Sequence, residues 1–294
     1  MDERTISVGE VTLAVAEAGR GGHPLLLLHG FTGAKEDFTP WLDALAARGF
    51  HAVAPDHRGH GDSSKPVDED AYSLEIFAAD ALALVDALGW ERFHLLGHSM
   101  GGMIAQHVAL AAPERVESLV LMDTGHGTVE MDAELAAWGL HLVRTDGIDA
   151  LADVLAQMDG PLHTGAYARL VEAHPEHKEF GERKLRASSP AMYAAMATEM
   201  MADHDRLEDL PRLGMPALVL VGDEDLPFVG PSERLAEALP AARLTVVPSA
   251  AVLPAVGAHA AVRRALPRRL VHRLGEGHPV RVHHLRAERE LARG

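Results

Sequence analysis

A chain of 294 residues, 47% hydrophobic and with a formal net charge of −16, has enough material for one large α/β domain or two smaller ones. The lack of cysteine excludes disulfides, thiolate metal sites and a cysteine nucleophile, and the acidic balance argues against general nucleic-acid binding. No apolar run approaches the ~18 residues of a membrane span, and the charged start Met1-Asp2-Glu3-Arg4 lacks the apolar core of a signal peptide, so a cytoplasmic protein with no membrane partner is expected.

Thr5–Val8 and Val11–Glu17 alternate around Gly9-Glu10, which predicts a β-hairpin. Leu25–Leu28 is an all-apolar run of the kind that is covered on both faces, and similar runs follow at 51–54, 93–96, 118–122, 217–221 and 244–247. Amphipathic segments at 38–48, 75–88 and 102–112 lie between them. Strands alternating with helices at this spacing predict an α/β fold with a doubly wound, mostly parallel sheet.

The alternation stops at residue 127. From about Val129 to Leu213 the pattern is helical, with breaks at Gly147, Asp159-Gly160-Pro161 and Ser188-Ser189-Pro190. This predicts a helical lid over 128–212, inserted between core segments 1–127 and 213–260. Met131, Met158, Met192, Met196, Met200 and Met201 concentrate there, as core packing or as the lining of a pocket for an apolar ligand.

Four strand ends carry chemistry. Gly97-His98-Ser99-Met100-Gly101 follows an apolar strand and opens an Ala-rich helix. A serine on so sharp a turn presents its hydroxyl above the sheet, with glycines allowing the turn and a helix N-terminus favouring developing negative charge. The plainer reading is a serine that only caps the helix. His29-Gly30-Phe31-Thr32-Gly33 follows the strand 25–28, where the Phe31 N–H, paired with that of Met100, could form an oxyanion hole; an ordinary glycine-rich turn is the alternative. Asp56, His57, Arg58, His60, Asp62 and Ser63 read as a turn held by Asp–Arg and Asp–backbone bonds rather than as a metal site. Gly222-Asp223-Glu224-Asp225 places carboxylates on the rim where α/β sheets bind ligands.

In this order the four segments resemble the α/β-hydrolase superfamily over about residues 5–250. The resemblance implies Ser99 as nucleophile, Asp225 as triad acid with Asp223 as its neighbouring alternative, Phe31 and Met100 amides as oxyanion hole, and His29, Gly30, Gly97 and Gly101 as supporting residues. It implies a cofactor-free, metal-free serine hydrolase of the esterase or lactonase kind, acting on a small molecule. Serine at the elbow argues against the family's epoxide hydrolases and haloalkane dehalogenases. A homo-oligomer is left open.

The resemblance fails where the histidine is expected. Ala251 and Val252 stand at those positions, and the next histidine, His259, comes about seven residues later as the candidate base. The alternative is an impaired hydrolase-fold protein that binds a small apolar ligand without turning it over. The same boundary marks a compositional shift: residues 261–294 hold nine Arg and three Glu (+6), leaving −22 on the rest. That basic tail is either real divergence or a reading frame that departs from its relatives' near Ala250. Codons CTC CCC GCA GTT GGA GCA CAC for Leu253–His259, read one base later, give Ser-Pro-Gln-Leu-Glu-His.

Overall fold

The computed structural model describes residues 1–130, 132–157 and 165–250. The hairpin forms as expected from β1 (Asp2–Val8) and β2 (Val11–Ala18). Then come β3 (His23–Leu28), α1 (Thr39–Ala46), β4 (Phe50–Pro55), α2 (Leu74–Ala87), β5 (Phe93–His98), α3 (Met100–Ala111) and β6 (Val116–Met122). Four helices follow: α4 (Ala133–Leu155), α5 (Gly165–Ala173), α6 (Glu176–Arg186) and α7 (Pro190–Met201). The chain returns to the sheet with β7 (Ala217–Gly222), α8 (Leu226–Ala238) and β8 (Ala242–Val247).

The sheet order is β1-β2-β4-β3-β5-β6-β7-β8, antiparallel through β1, β2 and β4 and parallel from there on. The leucine run of β3 shows why the apolar runs become central strands. Leu26 and Leu28 pack into the layer of α2 and α3, while Leu25 and Leu27 pack against Trp41, Leu42 and Leu45 of α1. Register puts His98, Met122 and Leu220 in one row across β5, β6 and β7, so whatever follows each strand meets on one rim.

The helices between β6 and β7 are seated by specific polar contacts. Gly147, with φ +87°, kinks α4 at the expected break, and Ser189 caps α7 by accepting the Met192 N–H. Asp159, Gly160, Pro161, Met131 and Met158 lie outside the described residues. Met192, Met196 and Met200 are buried in the main core, so these three follow the packing reading. The Glu199 carboxylate takes the Leu74 N–H at the start of α2. Arg206, 5% exposed, bonds Gln106 on α3. No described helix is long and apolar enough to cross a membrane.

The turn after β4 is held by side-chain–backbone bonds as expected, but its cation is not Arg58. Arg58 pairs with Asp80 of α2, at 2.5 and 2.6 Å. Asp56 instead accepts the Lys35 N–H (2.7 Å), the Asp62 N–H (2.9 Å) and the Lys35 ammonium (3.1 Å). Lys35 is 1% exposed. Burial would lower its pKa, yet its bonds to Asp62, Asp56 and Glu36 raise it above the ordinary lysine value, so it stays charged.

Candidate active site

Ser99 follows β5 directly, in a backbone conformation that few residues tolerate, φ +52° and ψ −121°. Such a residue costs ~1–3 kcal/mol and persists only where its surroundings impose it. Here they do so on both sides: the Ser99 N–H bonds Met122 O (2.9 Å), and the Thr124 hydroxyl donates to Ser99 O (2.7 Å). The flanking glycines are required by close approach. A Cβ on Gly97 would lie 2.1 Å from Gly101 O, and one on Gly101 would lie 2.2 Å from Leu28 O.

The loop after β3 runs directly beside the serine. A Cβ on Gly30 would come within 3.1 Å of Ser99 Cβ. Among the described residues, the N–H groups of Phe31 and Met100 donate to no protein acceptor. The carbonyls of that loop are taken by imidazoles. His29 Nδ1 donates to Gly30 O (2.8 Å), because its Nε2 accepts the His57 N–H (3.1 Å). His57 Nε2 donates to His29 O (3.2 Å) and His60 Nε2 to Phe31 O (2.5 Å). Three consecutive carbonyls are thus pinned away from Ser99. The Phe31 ring meets Tyr193 of α7 at 4.7 Å between centroids, which brings the inserted helices over this loop.

The acidic rim is deeper than expected. Asp225 is 2% exposed, whereas its neighbour Asp223 is exposed and accepts the Ala250 N–H. Asp225 Oδ2 is buried without a partner among the described residues. Against it lies Asp123, the residue after β6, itself at φ +46° and accepting the Gly222 N–H at 2.9 Å. Burial raises Asp225 to about 8, aided by the Asp123 charge and the hydrogen bond between the two carboxyls. Burial also raises Asp123, against the pull of the Gly222 N–H and of Asp225. The sequence reading missed Asp123, although it follows a strand on the same rim. Two strand spacings of ~4.8 Å separate β5 from β7, the gap an imidazole would bridge between Ser99 and Asp225.

No described histidine bonds Asp225, and His259 lies outside the described residues. The chain at Ala250 is nonetheless tied to the acid turn, through Asp223 N–H to Val247 O (3.0 Å) and Glu224 N–H to Ala250 O (2.9 Å). His98, beside the serine, is buried with both ring nitrogens unpartnered among the described residues, and burial lowers it to about 4. Among the described residues no group of three or more acidic or histidine side chains could hold a metal.

Burial also keeps His29, His57 and His60 neutral, lowering His57 to about 3. Because these folded-state values lie below the unfolded one, stability should be full above about pH 6.5 and fall as pH drops through it. At pH 5, His57 and His98 each cost about 2 kcal/mol, and His29 and His60 add to this, outweighing the opposite effect of the single carboxyl pair. Urea midpoints should decrease as pH falls from about 6.5 to 5; a flat profile over that range would mean that these imidazoles are solvated.

The family model for the alpha/beta hydrolase fold matches residues 23–251. Among solved structures, an enol-lactonase from Burkholderia xenovorans superposes with a TM-score of 0.75 at 25% identity, over 90% of this chain and 96% of that one. A thermophilic esterase from Thermogutta terrifontis gives 0.77 at 27% identity, over 90% and 97%. A fluoroacetate dehalogenase from Burkholderia is 40% identical over 127 residues, which is 42% of this chain and 40% of the dehalogenase. The chain thus spans about two fifths of the length of the first curated relatives it matches. On the family match and the shared architecture, this chain belongs to the α/β-hydrolase fold family.

Proposed function

We propose that the protein is a serine hydrolase that cleaves an ester, lactone or related acyl bond of a small apolar substrate through an acyl-enzyme. The observation that carries this reading is the strained Ser99 just after β5, beside two N–H groups without acceptors among the described residues. In the reaction Ser99 Oγ attacks the carbonyl carbon and its proton passes to a histidine. The Phe31 and Met100 amides hold the oxyanion, and the histidine returns the proton to the leaving oxygen. Water then releases the acid. Asp225 Oδ2 supplies the acceptor that orients such an imidazole. The Phe31–Tyr193 contact favours an apolar acyl group under helices α4–α7 acting as a cap. Serine rather than aspartate at the elbow favours the chemistry named for the esterase and the lactonase over that named for the dehalogenase.

His259 is the base in this reading. Nine residues from Ala250 reach at most about 30 Å, ample to return to the rim. Hydrolysis of a short-chain aryl ester should fall about a thousandfold or more in His259→Ala and partly recover with added imidazole. An unchanged rate in His259→Ala would remove His259 from the mechanism. The second reading, a hydrolase-fold protein that binds an apolar ligand without turnover, is favoured by Asp225 Oδ2 having no partner among the described residues. It predicts saturable binding of an apolar ester with no burst of released alcohol.

A further inference from the structure

The loop that carries Phe31 is anchored from two sides. Imidazoles of the core take its carbonyls, and a cation of the inserted helices takes the carboxylate at its far end. Lys184 of α6 donates to Asp37 Oδ1, and the two side chains are only 13% and 4% exposed. The Lys184 ammonium also lies 4.4 Å from the centre of the Phe180 ring, one turn earlier on the same helix, which steadies its long stem. Its basic neighbour Arg186 stays among the inserted helices, paired with Asp149 and Asp153. Among the described residues Asp37 has no other ion pair, so the position of this buried carboxylate depends on that ammonium.

From Asp37 the contacts run back to the peptide that aims the Phe31 N–H. Asp37 Oδ2 accepts the Ala34 N–H (3.2 Å), and the Asp37 N–H bonds Ala34 O (3.0 Å). The carboxylate leaves no slack, since a Cβ on Gly33 would lie 2.6 Å from Asp37 Oδ2. The Gly33 N–H in turn bonds Gly30 O (3.0 Å), whose other lone pair is taken by His29 Nδ1. Gly30 O and the Phe31 N–H belong to one planar trans peptide and point opposite ways, so whatever fixes the oxygen aims the donor.

We propose that Lys184 is a positioning residue for the oxyanion hole: its ion pair with Asp37 transmits the seating of α6 to the Gly30–Phe31 peptide. The role in turnover rests on the serine-hydrolase reading; the link from Lys184 to the loop does not. The donor is then fully aligned only while the inserted helices are docked, so an enzyme open for substrate entry is not yet competent for attack.

Turnover of a short-chain aryl ester and amide exchange in the loop test this together. His29 still holds Gly30 O when the ion pair is gone, so Lys184→Met should lower kcat about tenfold, short of the hundredfold or more that follows outright loss of an oxyanion donor. KM should barely change. Phosphonylation of Ser99 by a fluorophosphonate, whose adduct also directs an oxygen into that hole, should slow by a similar factor. Asp37→Asn should match Lys184→Met, and the double variant, which leaves no buried charge unpaired, should be no slower than either, because both act through one link. Lys184→Arg should restore most of kcat. Arg144→Met severs a different pair between the inserted helices and the core, Arg144 with Glu69 at 2.7 Å, and should leave kcat as it is. In hydrogen–deuterium exchange, the peptide spanning 30–37 should lose protection in Lys184→Met and keep it in Arg144→Met.

A wild-type kcat in Lys184→Met, or an equal loss in Arg144→Met, would overturn the positioning role and leave Lys184 a tether of α6. Unchanged exchange over 30–37 would overturn the link itself. A wild type that neither hydrolyses nor labels, but whose loop exchanges faster in Lys184→Met, would defeat the hydrolase reading alone and leave the link standing.

Discussion

Replacing Ser99 by alanine should lower turnover of a short-chain aryl ester about ten-thousandfold, down to the residual rate that oxyanion donors and binding alone provide. Alanine removes the side-chain oxygen that the proposed mechanism uses to form the acyl-enzyme. It also keeps the Cβ that the φ of +52° already accommodates, so the loss should appear in kcat and not in folding. The Met122 and Thr124 bonds that fix the turn use the Ser99 backbone and are untouched. Matching circular dichroism and thermal midpoints for wild type and variant, together with the collapse in kcat, would assign the loss to chemistry. Retained turnover would mean that another group attacks the substrate.

The largest effect on stability is expected at Asp56. Removing one partner of a buried ion pair leaves an uncompensated charge, at about 3–5 kcal/mol. Asp56→Ala takes from Lys35, which is 1% exposed, its one fully buried counter-ion, leaving the ammonium only the more exposed Asp62 and Glu36, and also strips acceptors from the Lys35 and Asp62 N–H groups. Lys35→Met should cost clearly less. It removes the charge that needs burial, while Asp56 keeps two backbone donors and the methionine fills the stem's volume. Urea midpoints of the two variants check the order. Because Lys35 follows the loop bearing Phe31, Asp56→Ala should also weaken whatever that loop contributes to turnover. Equal costs for both variants would mean that Asp56 acts only through its backbone bonds.

Most of the sheet was legible because its strands are covered on both faces and read as unbroken apolar runs; the leucines of β3 split evenly between the two layers. Ser99 was legible because its glycines are demanded by contacts within a few residues, Gly97 against Gly101. Long-range partners were not. Asp56 finds its cation 21 residues upstream at Lys35 rather than two residues on at Arg58, and no local pattern distinguishes the two. Asp123 is a single aspartate after a strand, and only the pairing of β6 with β7 brings it to the turn that carries Asp225, where it accepts the Gly222 N–H. The helical insertion was visible in its periodicity. Its seat was hidden, because Glu199 meets Leu74 from 125 positions away.

The central claim, that Ser99 is an activated nucleophile, is tested most directly by a fluorophosphonate probe followed by peptide mass spectrometry. One equivalent of phosphonate on the peptide containing Ser99, formed rapidly in the wild type and absent in Ser99→Ala, is the expected result. Labelling that persists in Ser99→Ala, or a wild type that stays unlabelled while folded, would contradict it.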